Sequence, residues 1–383
     1  MSSLSIPKNI QELVPYVPGK PIEETQRELG LRKVVKLASN ENPLGPSPRA
    51  KEALKKYIRD LHRYPDSGAF NLRKALSKRF KRSENQFVIG NGSNEVIELL
   101  IRTLCLPGDK ILTSKAAFIA YKICAQAHGS ETVETHLTQD GRFDVEALKQ
   151  KIVDDERIRI VFIANPNNPT GTYLNNSEMQ DLLDCAEKVN STRALIVVLD
   201  YAYWDYVTAK DLPDPFLLQE KYLNVMVLNT FSKIYGLAGM RIGFGLGDSH
   251  LLSYVERIRE PFNVNSLALV GAEAALSDKS FVKESRKNNS SGMKFWEKHL
   301  TKSKIEYWPS QGNFLLANFS KVTGLAGVEF FYSCLKEGVI FRPVANYGLK
   351  NHIRISIGTE KENAFAWKKV HQIILSHAGD RAQ

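Results

Sequence analysis

The middle of this chain alternates short β-branched apolar runs with amphipathic stretches, and that alternation limits its possible folds more than any other feature. Phe87–Gly90 (FVIG), Ile158–Asn165 (IRIVFIAN), Ala194–Asp200 (ALIVVLD), Asn224–Phe231 (NVMVLNTF) and Arg241–Gly247 (RIGFGLG) read as buried strands. Between them, stretches such as Glu95–Cys105 (EVIELLIRTLC) place apolar residues at i, i+3 and i+4. The pattern predicts an α/β domain with a mainly parallel sheet covered by helices on both faces. From about Ser266 long helical stretches precede short strands at Asn313–Phe319, Val339–Val344 and His352–Gly358, which reads as a smaller α+β unit. The first 40 or so residues carry Pro15, Pro18, Gly19 and Pro21 and read as an extended arm, since each proline removes a ladder donor. The expected divisions are 1–45 for an arm and small-domain segment, 46–265 for a large ligand-binding domain and 266–383 for a small C-terminal domain.

Composition removes several function classes. No apolar run approaches the roughly 20 residues of a membrane span. The N-terminus has neither a basic nor an apolar signal region, so a cytoplasmic location is expected. Cys105, Cys124, Cys185 and Cys334 show no CxxC spacing and read as small buried hydrophobes. The eight histidines lack HxH or HxxxH spacing, so no metal is expected. The net charge of +10 is spread along the chain, and its densest cluster, Arg73–Arg82, reads as one helix with a solvated basic face. Without a nucleic-acid-binding pattern beside it, a small anionic substrate is the expected partner, and neither nucleic acid nor membrane.

In open α/β sheets ligands bind beyond the carboxyl ends of the strands, so what stands there matters most. After FVIG comes Gly92-Ser93-Asn94, a turn opening a helix; it reads either as a phosphate site on backbone N–H groups or as a plain cap. The third glycine of a dinucleotide fingerprint is absent, with Glu95 in its place. After IRIVFIAN the loop PNNPTG presents Asn168, and after ALIVVL come Asp200 and Tyr203. After NVMVLNTF come Ser232 and Lys233, followed by Arg241 in a segment with glycines at 236, 239, 243 and 245, which implies close approach to the backbone. Far downstream, Arg354 alternates with Ile353 and Ile355, so its guanidinium faces away from theirs.

These residues acquire a joint chemical sense if Lys233 holds a carbonyl cofactor. Such a cofactor needs a phosphate cradle (Gly92, Ser93, Asn94, Ser232, Arg241), an acid beneath a ring nitrogen (Asp200) and donors for a ring oxygen (Asn168, Tyr203), which together describe pyridoxal 5′-phosphate. Lys233 is then both covalent partner and the base that moves the Cα proton. A lysine with an ordinary pKa of about 10.4 is unfit for that, so burial and nearby Arg241 are expected to depress it.

The segments TFSKIYGLAGMRIG, NPNNPTG, GNGSNEVIELL and HIRISIGT resemble the fold-type-I pyridoxal-phosphate-dependent aminotransferases. LVPYVPGKPIEETQRELG, KLASNENPLGPSP, RYPD and PFNVNSLA narrow the resemblance to the histidinol-phosphate aminotransferase family, from about Pro15 to Asn363. The resemblance implies transfer of the amino group of L-histidinol phosphate to 2-oxoglutarate, in histidine biosynthesis. It implies the cofactor roles just given, with Phe118 stacked on the ring. Tyr16, Arg342 and Arg354 would take the anionic end of the substrate (histidinol phosphate or glutamate). Tyr64 would reach the cofactor phosphate of a neighbouring subunit, making a homodimer with shared active sites. This chain departs from common family residues at Asn94 (often Asp), Phe118 (often Tyr) and Tyr201 (often Glu). Two rivals share the fold: an aromatic-amino-acid aminotransferase and a threonine-phosphate decarboxylase.

Overall fold

The computed structural model describes residues 5–379. In chain order its strands are β1 (Val35–Lys36), β2 (Phe87–Gly90), β3 (Lys110–Ser114), β4 (Glu131–Thr135), β5 (Ile158–Ala164), β6 (Ile196–Asp200), β7 (Val225–Thr230), β8 (Gly243–Leu246), β9 (Glu306–Trp308), β10 (Phe314–Asn318), β11 (Val339–Ile340), β12 (Arg342–Pro343) and β13 (His352–Ser356). Seven of them form one sheet in the order β2-β8-β7-β6-β5-β3-β4. Within it β8 runs antiparallel to both neighbours, while β3 through β7 pair in parallel. The α/β architecture with a mainly parallel sheet is therefore as the sequence predicts. β3 and β4 escape the sequence pattern because their sequences, KILTS and ETVET, are polar or alternating rather than continuously apolar, which suits β4 at the sheet edge, whereas β3 is paired on both sides.

A four-stranded antiparallel sheet, β12-β13-β10-β9, and the β1–β11 pair make up the second layer system. The predicted strand at 339–344 is broken at Phe341 into β11 and β12, which join different sheets. Two large apolar cores follow, beside a small third cluster of Ala38, Leu335 and Ile340. One is built on the large sheet, and the other surrounds the fully buried Trp296 together with Val35, Leu37, Ile353 and Ile355. The helix Ser266–Leu276 buries Ala268, Leu269, Ala272 and Ala275 in the first core and packs on the helix Pro48–Tyr57. That places it with the large unit, whereas the sequence division at 265/266 assigns it to the small one. The reason is compositional: SLALVGAEAAL is apolar nearly all round, so it needs cover that the large unit supplies. We propose that the division falls instead at Asp278, which caps the long helix Lys279–Lys302 and accepts a hydrogen bond from Ser47 at 2.6 Å.

The N-terminal segment is not simply extended. It contains a helix at Ile22–Leu29, which starts from Pro21 with Glu23 and Glu24 in its first turn and stops at Gly30 with φ +64°. The basic cluster also differs from a solvated face. In and just after the helix Phe70–Phe80, Arg73 pairs with Glu256, Arg79 lies 3.4 Å from buried Asp205, and Arg82 lies 2.7 Å from Glu220. Much of the charge that might suggest a polyanion partner is thus already paired.

Candidate active site

The carboxyl ends of β5, β6 and β7, the start of the helix Ser93–Leu104 and β13 of the small sheet converge on a cavity of about 250 Å³. Every site residue expected from the sequence lines it except Gly92, which lies against Arg241, and Tyr64. Tyr64 is 81% exposed and stacks on Phe262 with ring centroids 4.8 Å apart.

Lys233 follows β7 and sits inside the cavity, its Nζ 3.4 Å from the Ser39 carbonyl and over the Tyr203 ring. Burial pushes its amine down to about 8, with the Arg354 cation second; Glu41 and Asp200 oppose the shift. Arg241, expected from the sequence to be the main cationic neighbour, contributes less than Arg354. The loop is held by close backbone contacts. A Cβ at Gly236 would lie 2.0 Å from the Gly45 carbonyl oxygen, and one at Gly243 would lie 2.5 Å from Ser93 N. At Gly236, Gly243 and Gly245 the approach implied by the glycines is therefore made by the chain itself, and at Gly236 it locks Lys233 onto the 42–47 loop, whereas a Cβ at Gly239 would meet nothing within 4 Å. Asn42 adds a hydrogen bond to the Ile234 carbonyl at 2.8 Å.

Asp200 ends β6 and is buried, which raises its carboxyl. Tyr121 donates to its Oδ2 at 2.7 Å and the Ala202 N–H to its Oδ1 at 3.1 Å; both favour the charged form. A protonated ring nitrogen is a chemical complement to such a carboxylate. Asn168 accepts a hydrogen bond from Arg354 through Oδ1, at 2.5 Å, so its amide N–H groups remain as donors. Its loop carries cis peptide bonds at Asn165–Pro166 and Asn168–Pro169. The Tyr203 hydroxyl is held protonated, pushed up to about 12 by burial.

The helix Ser93–Leu104 begins at Gly92 (φ +80°) with no side chain hydrogen-bonded at its cap. Arg241 reaches across it, its Nη1 3.3 Å from Ser232 Oγ. A Cβ on Gly92 would lie 2.8 Å from Arg241 Nη2, so the glycine keeps open a cradle of a guanidinium, hydroxyls and helix-start N–H groups. Such a cradle fits a phosphate ester, and together with Lys233 and Asp200 it fits pyridoxal 5′-phosphate. On the opposite wall, Arg354 is buried with its Nε unpartnered, and Arg342 Nη2 donates to the Val17 carbonyl at 2.8 Å, holding Tyr16 beside the cavity. As predicted, Ile353 and Ile355 turn into the small-unit core while Arg354 turns to the cavity.

Comparison with known proteins agrees with this geometry. Residues 32–370 match the aminotransferase class I and II family. The chain is 45% identical over 358 residues to the histidinol-phosphate aminotransferase of Anaeromyxobacter sp., covering 94% of this chain and 96% of that protein. It is 42% identical to that of Bdellovibrio bacteriovorus, covering 97% of this chain and 98% of that one. The chain belongs to the histidinol-phosphate aminotransferase family. Among solved structures, the family member from Sinorhizobium meliloti, in complex with pyridoxal 5′-phosphate, superposes with a TM-score of 0.85 at 25% identity, over 97% of this chain and 98% of that one. An aspartate aminotransferase from Thermus thermophilus shares the fold, with a TM-score of 0.83 at 17% identity over 96% and 99% of the two chains.

Two residues of this aminotransferase site escape the sequence argument. Tyr121, beside Asp200, lies in the helix Ala120–His128, where no motif marks it; its stack on Phe162, at 4.5 Å, is a core contact. Asn40 donates to the Tyr203 hydroxyl from the N-terminal segment, 163 residues away in sequence. Of the departures from common family residues, Tyr201 is fully buried against Asn165 and points away from the cavity. Among the described residues no helix is long and apolar enough to cross a membrane, and no cluster of side chains could hold a metal ion.

Proposed function

We propose that this chain exchanges the amino group between L-histidinol phosphate and 2-oxoglutarate on bound pyridoxal 5′-phosphate. The products are imidazole acetol phosphate and glutamate, and the reaction runs in the opposite sense during histidine biosynthesis. The observation that carries the reading is Lys233: an amine depressed to about 8 in one cavity with a buried carboxylate and buried Arg354.

When bound, pyridoxal 5′-phosphate supplies the carbonyl that carries the amino group and a pyridinium that accepts the electron pair of the broken Cα–H bond. Lys233 would anchor it and would take and return the Cα proton at Nζ, a role suited to an amine that is partly neutral near pH 8. Asp200, held by Tyr121, keeps the ring nitrogen protonated. Asn168 and Tyr203 donate to the ring oxygen. Ser93, Asn94, Ser232, Arg241 and the helix start at Gly92 hold the phosphate, and Phe118 covers the ring. Arg354 takes the substrate anion, and its planar fork suits a phosphate in one half-reaction and a carboxylate in the other. Arg342 adds a second positive charge and holds Tyr16 over the entrance. Two cations at one end of the cavity favour a dianionic phosphate monoester over the single carboxylate of an aromatic amino acid.

Exposed Tyr64 has its natural use in a partner's site, so the working unit is a homodimer with shared sites. Its stack on Phe262 and the exposed Ile58 and Leu61 nearby in sequence support that reading. The test is a half-reaction in which the cofactor-loaded protein is mixed separately with L-histidinol phosphate, phenylalanine, tyrosine and L-threonine phosphate. Rapid loss of the visible band with histidinol phosphate alone is expected. Equal rates with phenylalanine or tyrosine would make the enzyme a broad aromatic aminotransferase.

A further inference from the structure

Asn40 belongs to the segment after β1, yet its side chain ends in the active site. It is 1% exposed and lies at φ +54°, a conformation asparagine adopts more readily than most residues. Its backbone N–H donates to Ser356 Oγ at 2.8 Å, and the Ser356 hydroxyl donates back to Asn40 Oδ1 at 2.8 Å. Asn313 Nδ2 donates to the Asn40 carbonyl at 3.0 Å. Ser356 and Asn313 belong to or border the small sheet, so Asn40 is held from that side.

The closed pair of bonds with Ser356 decides which way the Asn40 amide faces. A serine hydroxyl has one proton. Because Ser356 Oγ accepts from the Asn40 N–H, that proton goes to Oδ1, and the amide oxygen is committed to Ser356. The amide nitrogen is left pointing at Tyr203, where Nδ2 donates to the hydroxyl at 2.9 Å. An amide NH₂ offers no lone pair to accept in return. The Tyr203 proton therefore cannot turn back toward Asn40. The Tyr203 ring is itself fixed edge-on to Phe314, centroids 5.0 Å apart, so the hydroxyl rotor is the remaining freedom. Among the described residues, Asn40 is the group that hydrogen-bonds this hydroxyl; the charged or titratable groups around it are Arg354, Asp200, Lys233, Tyr347, Tyr121 and Tyr206.

We propose that Asn40, clamped by Ser356, is a positioning residue that aims the Tyr203 proton into the cavity, toward the ring oxygen of the bound cofactor. It acts through Tyr203 and touches neither substrate nor cofactor in this role. The inference rests on the reading above that Tyr203 donates to that oxygen.

The test is a titration of the visible absorption band of the cofactor-loaded protein against pH, a readout that a purely structural contact does not move. Donation to an anionic ring oxygen lowers the midpoint of that transition, so weakening it raises the midpoint. Four proteins form a cycle: the unaltered chain, Asn40→Ala, Tyr203→Phe and the double variant. The expected result is a rise of roughly half to one pH unit for Asn40→Ala, the size of one modest hydrogen bond. A larger rise is expected for Tyr203→Phe, with no further rise when Asn40→Ala is added to it. Ser356→Ala, which frees the amide to turn, should move the midpoint the same way by less and serves if Asn40→Ala does not fold. Equal shifts from Asn40→Ala with and without Tyr203 would overturn the proposal, because Asn40 would then act by another route. So would a shift in Tyr203→Phe with none in Asn40→Ala or Ser356→Ala, leaving the reading of Tyr203 intact. No shift in Tyr203→Phe would overturn that reading and the proposal with it.

Discussion

Tyr121 donates its hydroxyl hydrogen to Asp200 Oδ2 across 2.7 Å, joining the helix Ala120–His128 to the end of β6 at the one buried carboxylate of the cavity. The bond favours the charged form of Asp200, against the desolvation that raises its carboxyl. Tyr121→Phe removes the donor but keeps the ring and its stack on Phe162. A hydrogen bond to a charged group is worth about 1.5–3 kcal/mol. We expect cofactor affinity to fall by roughly tenfold or more as Asp200 becomes easier to protonate and pairs less well with the ring nitrogen. Fluorescence titration of the apoprotein checks this; unchanged affinity would mean that Tyr121 has only a packing role.

Gly92→Ala tests the phosphate cradle. At φ +80° and ψ 167° the backbone is open almost only to glycine, which costs alanine about 1–3 kcal/mol. The new methyl would also stand 2.8 Å from Arg241 Nη2 and push the guanidinium aside. Retention of pyridoxal 5′-phosphate through gel filtration should drop sharply, with affinity at least about tenfold weaker. Retention equal to the unaltered chain would remove this loop from the phosphate site.

Lys233 imposes a pH-dependent cost on the cofactor-free protein. Its folded pKa, about 8, lies below its unfolded value, so between about pH 8 and 10.5 the unfolded chain binds more protons and stability rises with pH. Below that window the buried charge is carried in full. Lys233→Met should therefore stabilise the apoprotein at pH 7, on the order of 2 kcal/mol after allowance for screening, and by less at pH 10. Thermal denaturation at the two pH values measures the difference. A difference that is absent, or grows with pH, would contradict the depressed amine.

The same amine sets when the cofactor can be loaded. The rate of incorporation into apoprotein should rise with pH through about 8 and level off above it. Arg354→Ala removes the larger of the two cationic influences and should move that inflection upward, whereas Arg241→Ala should move it less. Stopped-flow absorbance gives both profiles. An inflection unmoved by Arg354→Ala would take Arg354 out of the depression.

Much of this site can be read from the sequence because its parts stand at the ends of apolar strands. Asp200, Ser232 and Lys233 each follow a run that can only be a buried strand, and the fold brings such ends together. Arg354 is legible for the related reason that period-two alternation separates it from Ile353 and Ile355. Asn40 is not, because its role depends on the small sheet delivering a loop to Tyr203, and no local pattern encodes that distance. Tyr121 is hidden differently: on the buried face of a mixed helix, a tyrosine that packs and one that also binds Asp200 look alike. β3 and β4 are missed because polar residues interrupt their apolar runs, KILTS and ETVET, and local sequence does not say which core the helix Ser266–Leu276 will cover.

The role proposed for Tyr64 needs a second copy of the chain. It is far from filling its own cavity, so Tyr64→Phe should weaken cofactor retention in a dimer and have no effect in a monomer. Sedimentation of the active species beside the retention assay checks both halves; fully active monomers would contradict the shared site.

The central claim is that Lys233 is the residue that carries the cofactor. Borohydride reduction of the loaded protein, followed by digestion and mass spectrometry of the peptides, tests it without relying on turnover. The account predicts a single phosphopyridoxyl group on Lys233 in the peptide spanning Ser232 and Ile234, and none in Lys233→Met. A label on any other lysine, or a loaded protein that gives no reduced adduct, would contradict it.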